Sequence, residues 1–279
     1  MLDFLTKEPI DIIVSRRANY INSYFSNISL EERNNVKFLV CDMYKPYIKL
    51  KENYLHSACV AIDSFHVISH LNNEFIKYFN KIKGKYIELD NLRLNELNKG
   101  RNRTYDSIQA SVETRLLQKY TWVFLKKEKT IFWDKKFKYN SYFCGKWSIK
   151  KVREEFFKLD KDLEKMYELK ELYYAFNDNI YKNKQEINDE LNRLIRLYNN
   201  SNIDIFIKFS KLLKLNCKYI INSFVITNDG KVYRISNGPI EGFNRKVKDL
   251  KRNSRGVSNF QVARARIIWA TRKKCPFKG

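Results

Sequence analysis

The sequence lacks any apolar run close to the roughly 20 residues that a membrane-spanning helix needs. No amphipathic segment is typical of membrane-surface binding, and acidic residues interrupt the apolar stretch of residues 1–17, which is unlike a secretory signal peptide. We therefore expect no membrane partner and a cytoplasmic location.

The sequence also lacks paired cysteines. Its five cysteines are widely scattered, and no two of them form a C-x-x-C pair. Because neither a zinc ribbon nor a disulfide framework has this spacing, we expect all five to be ordinary reduced cysteines.

Proline is absent between Pro46 and Pro239. Through most of this interval apolar residues recur at helical spacing, as at Val152, Phe156 and Leu159. These features predict a helical block over residues 69–222, inserted between two parts of a core formed by residues 1–68 and 223–279.

Positive charge is what the sequence has in excess. Lys and Arg number 54 against 31 Asp and Glu, which gives a formal net charge of +23. Such a charge concentrates polyanions at the protein surface, so nucleic acid is the expected partner.

Short local patterns predict the elements of the core. Residues 10–14 form a β-branched run after a turn, which predicts a strand entered from a hairpin, and residues 17–27 have the spacing of an amphipathic helix. Residues 224–226 and 232–235 predict a second hairpin around the turn at residues 228–230.

Two further predicted strands end on acidic residues. Residues 36–41 are followed by Asp42, and residues 58–62 are followed by Asp63, with a helix predicted between them from Pro46. A strand, helix, strand unit makes parallel neighbours, so both carboxylates are expected at one edge of a sheet, where α/β proteins bind ligands. The alternative for each acid alone is a helix N-cap or turn.

A third acid opens a basic helix. Pro239 suits a first helical position, which places Glu241 in the first turn. The basic residues that follow are Arg245, Lys246, Lys248, Lys251, Arg252 and Arg255. This pattern predicts phosphate contacts beside a metal-binding acid; the alternatives are an acid that complements the helix dipole and a solvated charged face.

His66 lies one helical turn after Asp63 and could orient a substrate or act as an acid. His66 and His70 also have a spacing that suits zinc, but no third zinc ligand is evident, so we discount that interpretation. Carboxylates from several chain positions are instead typical of phosphoryl transfer with Mg²⁺ or Mn²⁺.

Three motifs together resemble the DDE transposases of bacterial insertion sequences, and most closely the ISL-three (ISL3) family. They are residues 41–47, residues 61–68 and, most specifically, residues 236–244 with the basic stretch that follows. The resemblance implies an α/β ribonuclease-H-like core with a large all-helical insertion, mostly α overall. It also implies that Asp42 and Glu241 are catalytic metal ligands and that Asp63 and His66 form an accessory D-x-x-H.

The sequence departs from the family pattern near its N-terminus. Such transposases carry their first catalytic Asp on an opening strand, and here that strand, its acid and the preceding zinc ribbon find no match, so the ribonuclease-H-like core is expected to be partial. Asp3 does not replace the acid. We therefore expect that this chain cleaves DNA poorly or not at all.

The first functional hypothesis is a Mg²⁺- or Mn²⁺-dependent transposase that cuts and joins transposon-end DNA. A homodimer is a candidate assembly for it. The alternative hypothesis is a non-catalytic DNA-binding remnant or interaction protein that keeps the basic surface without the chemistry.

Overall fold

The computed structural model describes residues 1–3, 5–98, 110–133, 137–226, 232–253 and 259–272. The described helices are α1 (Ala18–Ser26), α2 (Leu30–Asn34), α3 (Lys45–Asn53), α4 (Ser64–Asn98), α5 (Val112–Lys119), α6 (Thr121–Leu125), α7 (Ile149–Phe157), α8 (Leu163–Asp178), α9 (Lys184–Asn199), α10 (Asp204–Asn222), α11 (Gly238–Asn253) and α12 (Phe260–Thr271), with a 3₁₀ turn at Glu128–Thr130. The described strands are β1 (Phe38–Cys41), β2 (Cys59–Ile62), β3 (Lys138–Asn140), β4 (Gly145–Trp147), β5 (Phe224–Ile226) and β6 (Val232–Arg234). The chain is therefore mostly helical, with a few small sheets.

The chain divides into two compact units. Unit 1 consists of Met1–Val67 and Lys218–Gly279, and unit 2 is Ile68–Cys217. The boundaries fall inside two helices, α4 and α10. No helix in the described ranges is both long enough and apolar enough to cross a membrane.

Unit 1 is built around β1 and β2, which pair in parallel from Phe38 opposite Cys59 to Cys41 opposite Ile62. The predicted parallel arrangement is confirmed. β5 and β6 pair antiparallel, which confirms the second hairpin, although its predicted turn at residues 228–230 lies outside the described residues.

A small apolar core lies beside the β1–β2 sheet. Its fully buried members come from α1, α3 and the segment before β2: Ile21, Phe25, Leu50, Leu55 and Ala58. Leu39 of β1 packs against them. Most of the amphipathic face predicted for α1 covers this core, since Ile21 and Phe25 belong to it and Tyr24 packs against it, whereas Tyr20 is exposed.

The predicted strand at residues 10–14 does not form. The hairpin turn before it is present, since Leu2 bridges Pro9 and the Asp3 N–H donates to the Glu8 carbonyl at 2.9 Å. Beyond the turn, however, the Ile12 N–H donates to the Asp11 side chain at 2.6 Å. That N–H is therefore used locally, and no ladder joins these residues to a described strand.

Within its described residues, unit 2 is helical apart from one hairpin, so the prediction of an all-helical insertion is wrong. β3 and β4 pair antiparallel around a turn in which the Tyr142 N–H donates to the Asn140 side chain at 3.0 Å. The rings of Phe143 and Trp147 stack there with centroids 4.2 Å apart. A side-chain-bonded turn and an aromatic stack stabilise this hairpin.

Aromatic side chains form the core of unit 2. The Phe124 ring on α6 lies edge-on to Phe75 and Phe79 of α4, with centroids 5.0 and 5.1 Å apart. These rings are almost completely buried. Such pairs add specific geometry to the large apolar area that they remove from water.

Lys170 on α8 lies inside this core and is fully buried. Its ammonium donates to the carbonyls of Phe124 and Lys126 at 2.6 and 2.8 Å and lies 2.7 Å from the Glu171 carboxylate. Burial lowers the pKa of Lys170 to about 8, because desolvation of the charge outweighs these contacts.

The low pKa of Lys170 predicts that stability rises with pH. Between about pH 8 and pH 10 the unfolded lysine keeps its proton while the folded one has lost it, so the free energy of unfolding should increase by about 1–3 kcal/mol. Chemical denaturation at several pH values should show this rise in the wild type but not in Lys170→Met. The exposed Lys161→Met is the matched control, and parallel curves for wild type and Lys170→Met would contradict the assignment.

Candidate active site

The β1–β2 pair brings two acidic residues to one edge of its sheet. Cys41 and Ile62 are opposite each other at the carboxyl ends of the strands, so Asp42 and Asp63 leave the sheet side by side. The Asp63 N–H extends the ladder by donating to the Cys41 carbonyl at 3.2 Å. Both acids are thus at the same edge, as the strand pattern predicts.

Asp42 is half-buried and begins the turn into α3. One of its carboxylate oxygens accepts the Tyr44 N–H at 3.0 Å. Burial and the nearby Asp42 carboxylate raise the pKa of the Cys41 thiol to about 12, and the same two causes raise the pKa of Tyr47. The Asp42 carboxylate therefore acts electrostatically on two neighbouring side chains at the end of β1, Cys41 and Tyr47.

Asp63 is buried, with 2% of its surface exposed. One carboxylate oxygen accepts the Phe65 N–H at 3.0 Å, at the start of α4, and the other accepts the Asn237 N–H at 3.0 Å. The N-cap role considered as an alternative is therefore real for Asp63, and the second hydrogen bond comes from a distant part of the chain.

Glu241 occupies the first turn of α11, where its backbone N–H donates to the Asn237 carbonyl at 3.0 Å. The helix predicted to open at Pro239 begins one residue earlier, at Gly238, and Glu241 lies in its first turn as predicted. An acid in this turn also suits the helix dipole. The Glu241 side chain remains 41% exposed, so its carboxylate is accessible.

His66 completes a cluster with two of these acids. Its Nε2 atom lies 3.8 Å from Oε1 of Glu241. Ligand atoms of Asp63, His66 and Glu241 all lie within 4.8 Å of one another, which is close enough for a metal ion. His70, the second residue of the discounted zinc pair, is not part of this group among the described residues.

A cleft of about 500 Å³ joins Asp42 to this cluster. Asp42, His66 and Glu241 line it together, and its apolar lining residues include Ile12 and Leu39. Asp63 does not line the cleft. Of the four predicted catalytic residues, three therefore line the cleft, and the fourth, Asp63, is buried.

The basic face predicted on α11 is exposed. Its exposed cations are Arg245, Lys246, Lys248, Lys251 and Arg252. Phe243 is buried, and Val247 and Leu250 are half-buried, so this apolar stripe anchors the helix and leaves the cations in solvent. The remaining predicted contact, Arg255, lies outside the described residues.

Sequence reasoning missed an ion pair that fixes one wall of the cleft. The guanidinium of Arg264 on α12 binds the buried Asp11 carboxylate through two hydrogen bonds, at 2.5 and 2.7 Å. Burial alone would raise the pKa of Asp11, but the Arg264 and Ile12 donors outweigh it and lower the pKa. Because Asp11 precedes Ile12 and Ile13, the pair holds the segment that lines the cleft. No local pattern signals a pair so distant in sequence.

A comparison with known protein families matches residues 1–267 to the ISL3 family of DDE transposases. The match covers nearly the whole chain and includes every motif on which the resemblance was based. The chain belongs to the ISL3 transposase family.

No curated protein and no solved structure matches the chain at a significant level. Membership of the family supports a function in DNA transposition of an insertion sequence and implies DNA as the partner. DDE transposases in general use divalent metal ions, and this transposase has a cluster of acidic and histidine side chains that could hold one.

Proposed function

We propose that this transposase performs metal-dependent DNA strand cleavage and transfer at the cleft of unit 1. The observation that carries the proposal is the convergence of Asp42, His66 and Glu241 on one open cleft. These residues come from the end of β1, the start of α4 and the first turn of α11. Ligands drawn from separate chain positions are typical of metal-assisted phosphoryl transfer.

The donor set fits a divalent metal. Asp42 and Glu241 both line the cleft and provide the hard oxygen ligands that Mg²⁺ and Mn²⁺ prefer. When bound, the metal would polarise a phosphate oxygen and activate the attacking water or hydroxyl. The chain itself would hold the ion through Asp42 and Glu241, while His66 would orient the scissile phosphate.

The arrangement of unit 1 supports a ribonuclease-H-like core. β1 and β2 are parallel neighbours linked through α3, and an acid follows each of them. Ligand sites of α/β folds lie at the carboxyl ends of such strands. We propose that Asp42 and Glu241 correspond to the second and last acids of the DDE set, as the resemblance implies.

We expect slow strand cleavage by the purified chain. Of the three acids at this edge in the described residues, only Asp42 and Glu241 line the cleft, and the Asp63 carboxylate already accepts two backbone N–H groups. Two carboxylates are few for positioning two metals. A gel assay with Mn²⁺ and insertion-sequence end DNA measures this, and rapid strand transfer would contradict the expectation.

The metal assignment predicts that charge removal at either acid weakens Mn²⁺ binding. Asp42→Asn and Glu241→Gln should each lower the affinity by about tenfold or more, since each removes a directly coordinating anionic oxygen. Titration followed by electron paramagnetic resonance measures free Mn²⁺.

The matched control for this test is Asp249→Asn. Asp249 is an exposed acid on the same helix as Glu241 and pairs with Arg252 at 3.0 Å. It should leave Mn²⁺ binding unchanged. Equal affinities in all four proteins would show that this cleft does not bind the metal.

The exposed cations of α11 predict backbone contacts with DNA. Replacing Lys248, Lys251 and Arg252 by Ala should weaken binding and reduce the slope of log affinity against log salt by about 2–3, because each phosphate contact contributes about 0.9. Fluorescence anisotropy over a salt series measures both.

A charge-matched triple variant separates α11 from the general positive field. Lys182, Lys184 and Lys211 are exposed on unit 2, and their replacement by Ala removes the same charge. This control should change the salt slope less. Equal losses in the two triple variants would refute a specific role for α11.

A further inference from the structure

We propose that Asp63 is a positioning residue, which holds the start of α11 so that the Glu241 carboxylate stays beside the strand end that carries Asp42. The inference rests on the proposed function of the cleft and assigns Asp63 a role different from that of a metal ligand. It also defines what the accessory position does in this chain.

Both carboxylate oxygens of Asp63 accept hydrogen bonds from backbone N–H groups. Oδ1 accepts the Phe65 N–H and Oδ2 accepts the Asn237 N–H, each at 3.0 Å. Asp63 is only 2% exposed, so water competes little for these oxygens. Hydrogen bonds from N–H groups to an ionised acceptor are stronger than neutral ones, and in a buried site they are also protected from solvent.

Asn237 passes this constraint on to Glu241. Its N–H binds Asp63, while its carbonyl accepts the Glu241 N–H at 3.0 Å and so closes the first turn of α11. One residue thus connects the buried carboxylate to the backbone of the proposed metal ligand. Moving Asn237 would move the helix start and Glu241 with it.

Both sides of the Asp63–Asn237 contact are themselves held. On the strand side, the Asp63 N–H donates to the Cys41 carbonyl, and the Asn222 side chain donates to the Val60 carbonyl at 2.8 Å. On the helix side, the buried Ile235 donates its N–H to the Ser223 carbonyl at 2.9 Å. Because both segments are held by hydrogen bonds of their own, the Asp63–Asn237 contact can fix the distance between the end of β2 and the start of α11.

The competing role for Asp63 is direct coordination, because one of its oxygens lies within 4.8 Å of ligand atoms on His66 and Glu241. The cleft geometry argues against it. Asp42, His66 and Glu241 line the open space, and Asp63 does not. A group that orients a ligand from behind it can still change metal affinity by about 10–100-fold, so affinity alone does not separate the two roles.

A double-mutant cycle separates them. Asp63→Asn should lower Mn²⁺ affinity about tenfold in the wild-type background, because the amide cannot accept both N–H groups. In the Glu241→Gln background it should have little further effect, since Asp63 acts through Glu241. Independent, multiplying losses would overturn the proposal and identify Asp63 as a ligand.

Hydrogen exchange gives a second readout that needs no metal. Asp63→Asn should increase amide exchange at Asn237 and in the first turn of α11, whereas Asp42→Asn should leave these amides protected. Unchanged protection in Asp63→Asn would overturn the positioning role. If the wild type binds no Mn²⁺ but Asp63→Asn still exposes Asn237, the proposed function fails while the structural link stands.

A variant on the donor side covers the case in which Asp63→Asn does not fold. Asn237→Pro removes the N–H that Asp63 accepts and leaves the carboxylate in place. The positioning role predicts a loss of Mn²⁺ affinity similar to that expected for Asp63→Asn. Direct coordination by Asp63 predicts wild-type affinity for Asn237→Pro, and that result would overturn the proposal.

Discussion

The hydrogen bond from the Asn237 N–H to the Asp63 carboxylate spans 174 residues of sequence. It ties the first turn of α11 to the carboxyl end of β2, and the arrangement of the candidate active site depends on it. Because the entropic cost of closing a loop grows slowly with its length, a large unit can lie between the two residues at modest cost. Unit 2, Ile68–Cys217, occupies most of this interval.

Burial separates the carboxylates that are engaged in hydrogen bonds inside the protein from those that a cation can reach. Asp63 and Asp11 are both buried and both engaged, one by backbone N–H groups and the other by Arg264. Asp42 and Glu241 are partly exposed and face the cleft. Buried carboxylates with full hydrogen bonding hold the walls and the helix in place, whereas the accessible ones remain available to a cation.

α11 carries an acidic residue in its first turn and exposed basic residues in its later turns. Its first turn presents Glu241 to the cleft, and its later turns present cations to solvent. A phosphate backbone that follows the cations would approach the acid at the helix start. The net charge of +23 adds a long-range attraction for polyanions such as DNA.

Local sequence patterns were sufficient for elements whose geometry is set by near neighbours. The runs before Asp42 and Asp63, the Pro239 helix start and the spacing in α1 follow from side-chain periodicity and turn chemistry. Local patterns gave the wrong structure in two places. At residues 10–14 the Asp11 carboxylate accepts the Ile12 N–H, and in the turn of the β3–β4 hairpin the Asn140 side chain accepts the Tyr142 N–H. In both places a side chain competes for backbone groups.

The sequence by itself determined the net charge, which follows from composition. It also determined the acids at the strand ends and at the start of the basic helix, because short runs of neighbouring residues set these patterns. Only the tertiary structure decided that Asp63 turns inward to hold Asn237 while Asp42, His66 and Glu241 share a cleft. Likewise, the pairing of Asp11 with Arg264 appears only in the fold. The physical reason is that such contacts depend on burial and on the meeting of distant segments, which no local spacing encodes.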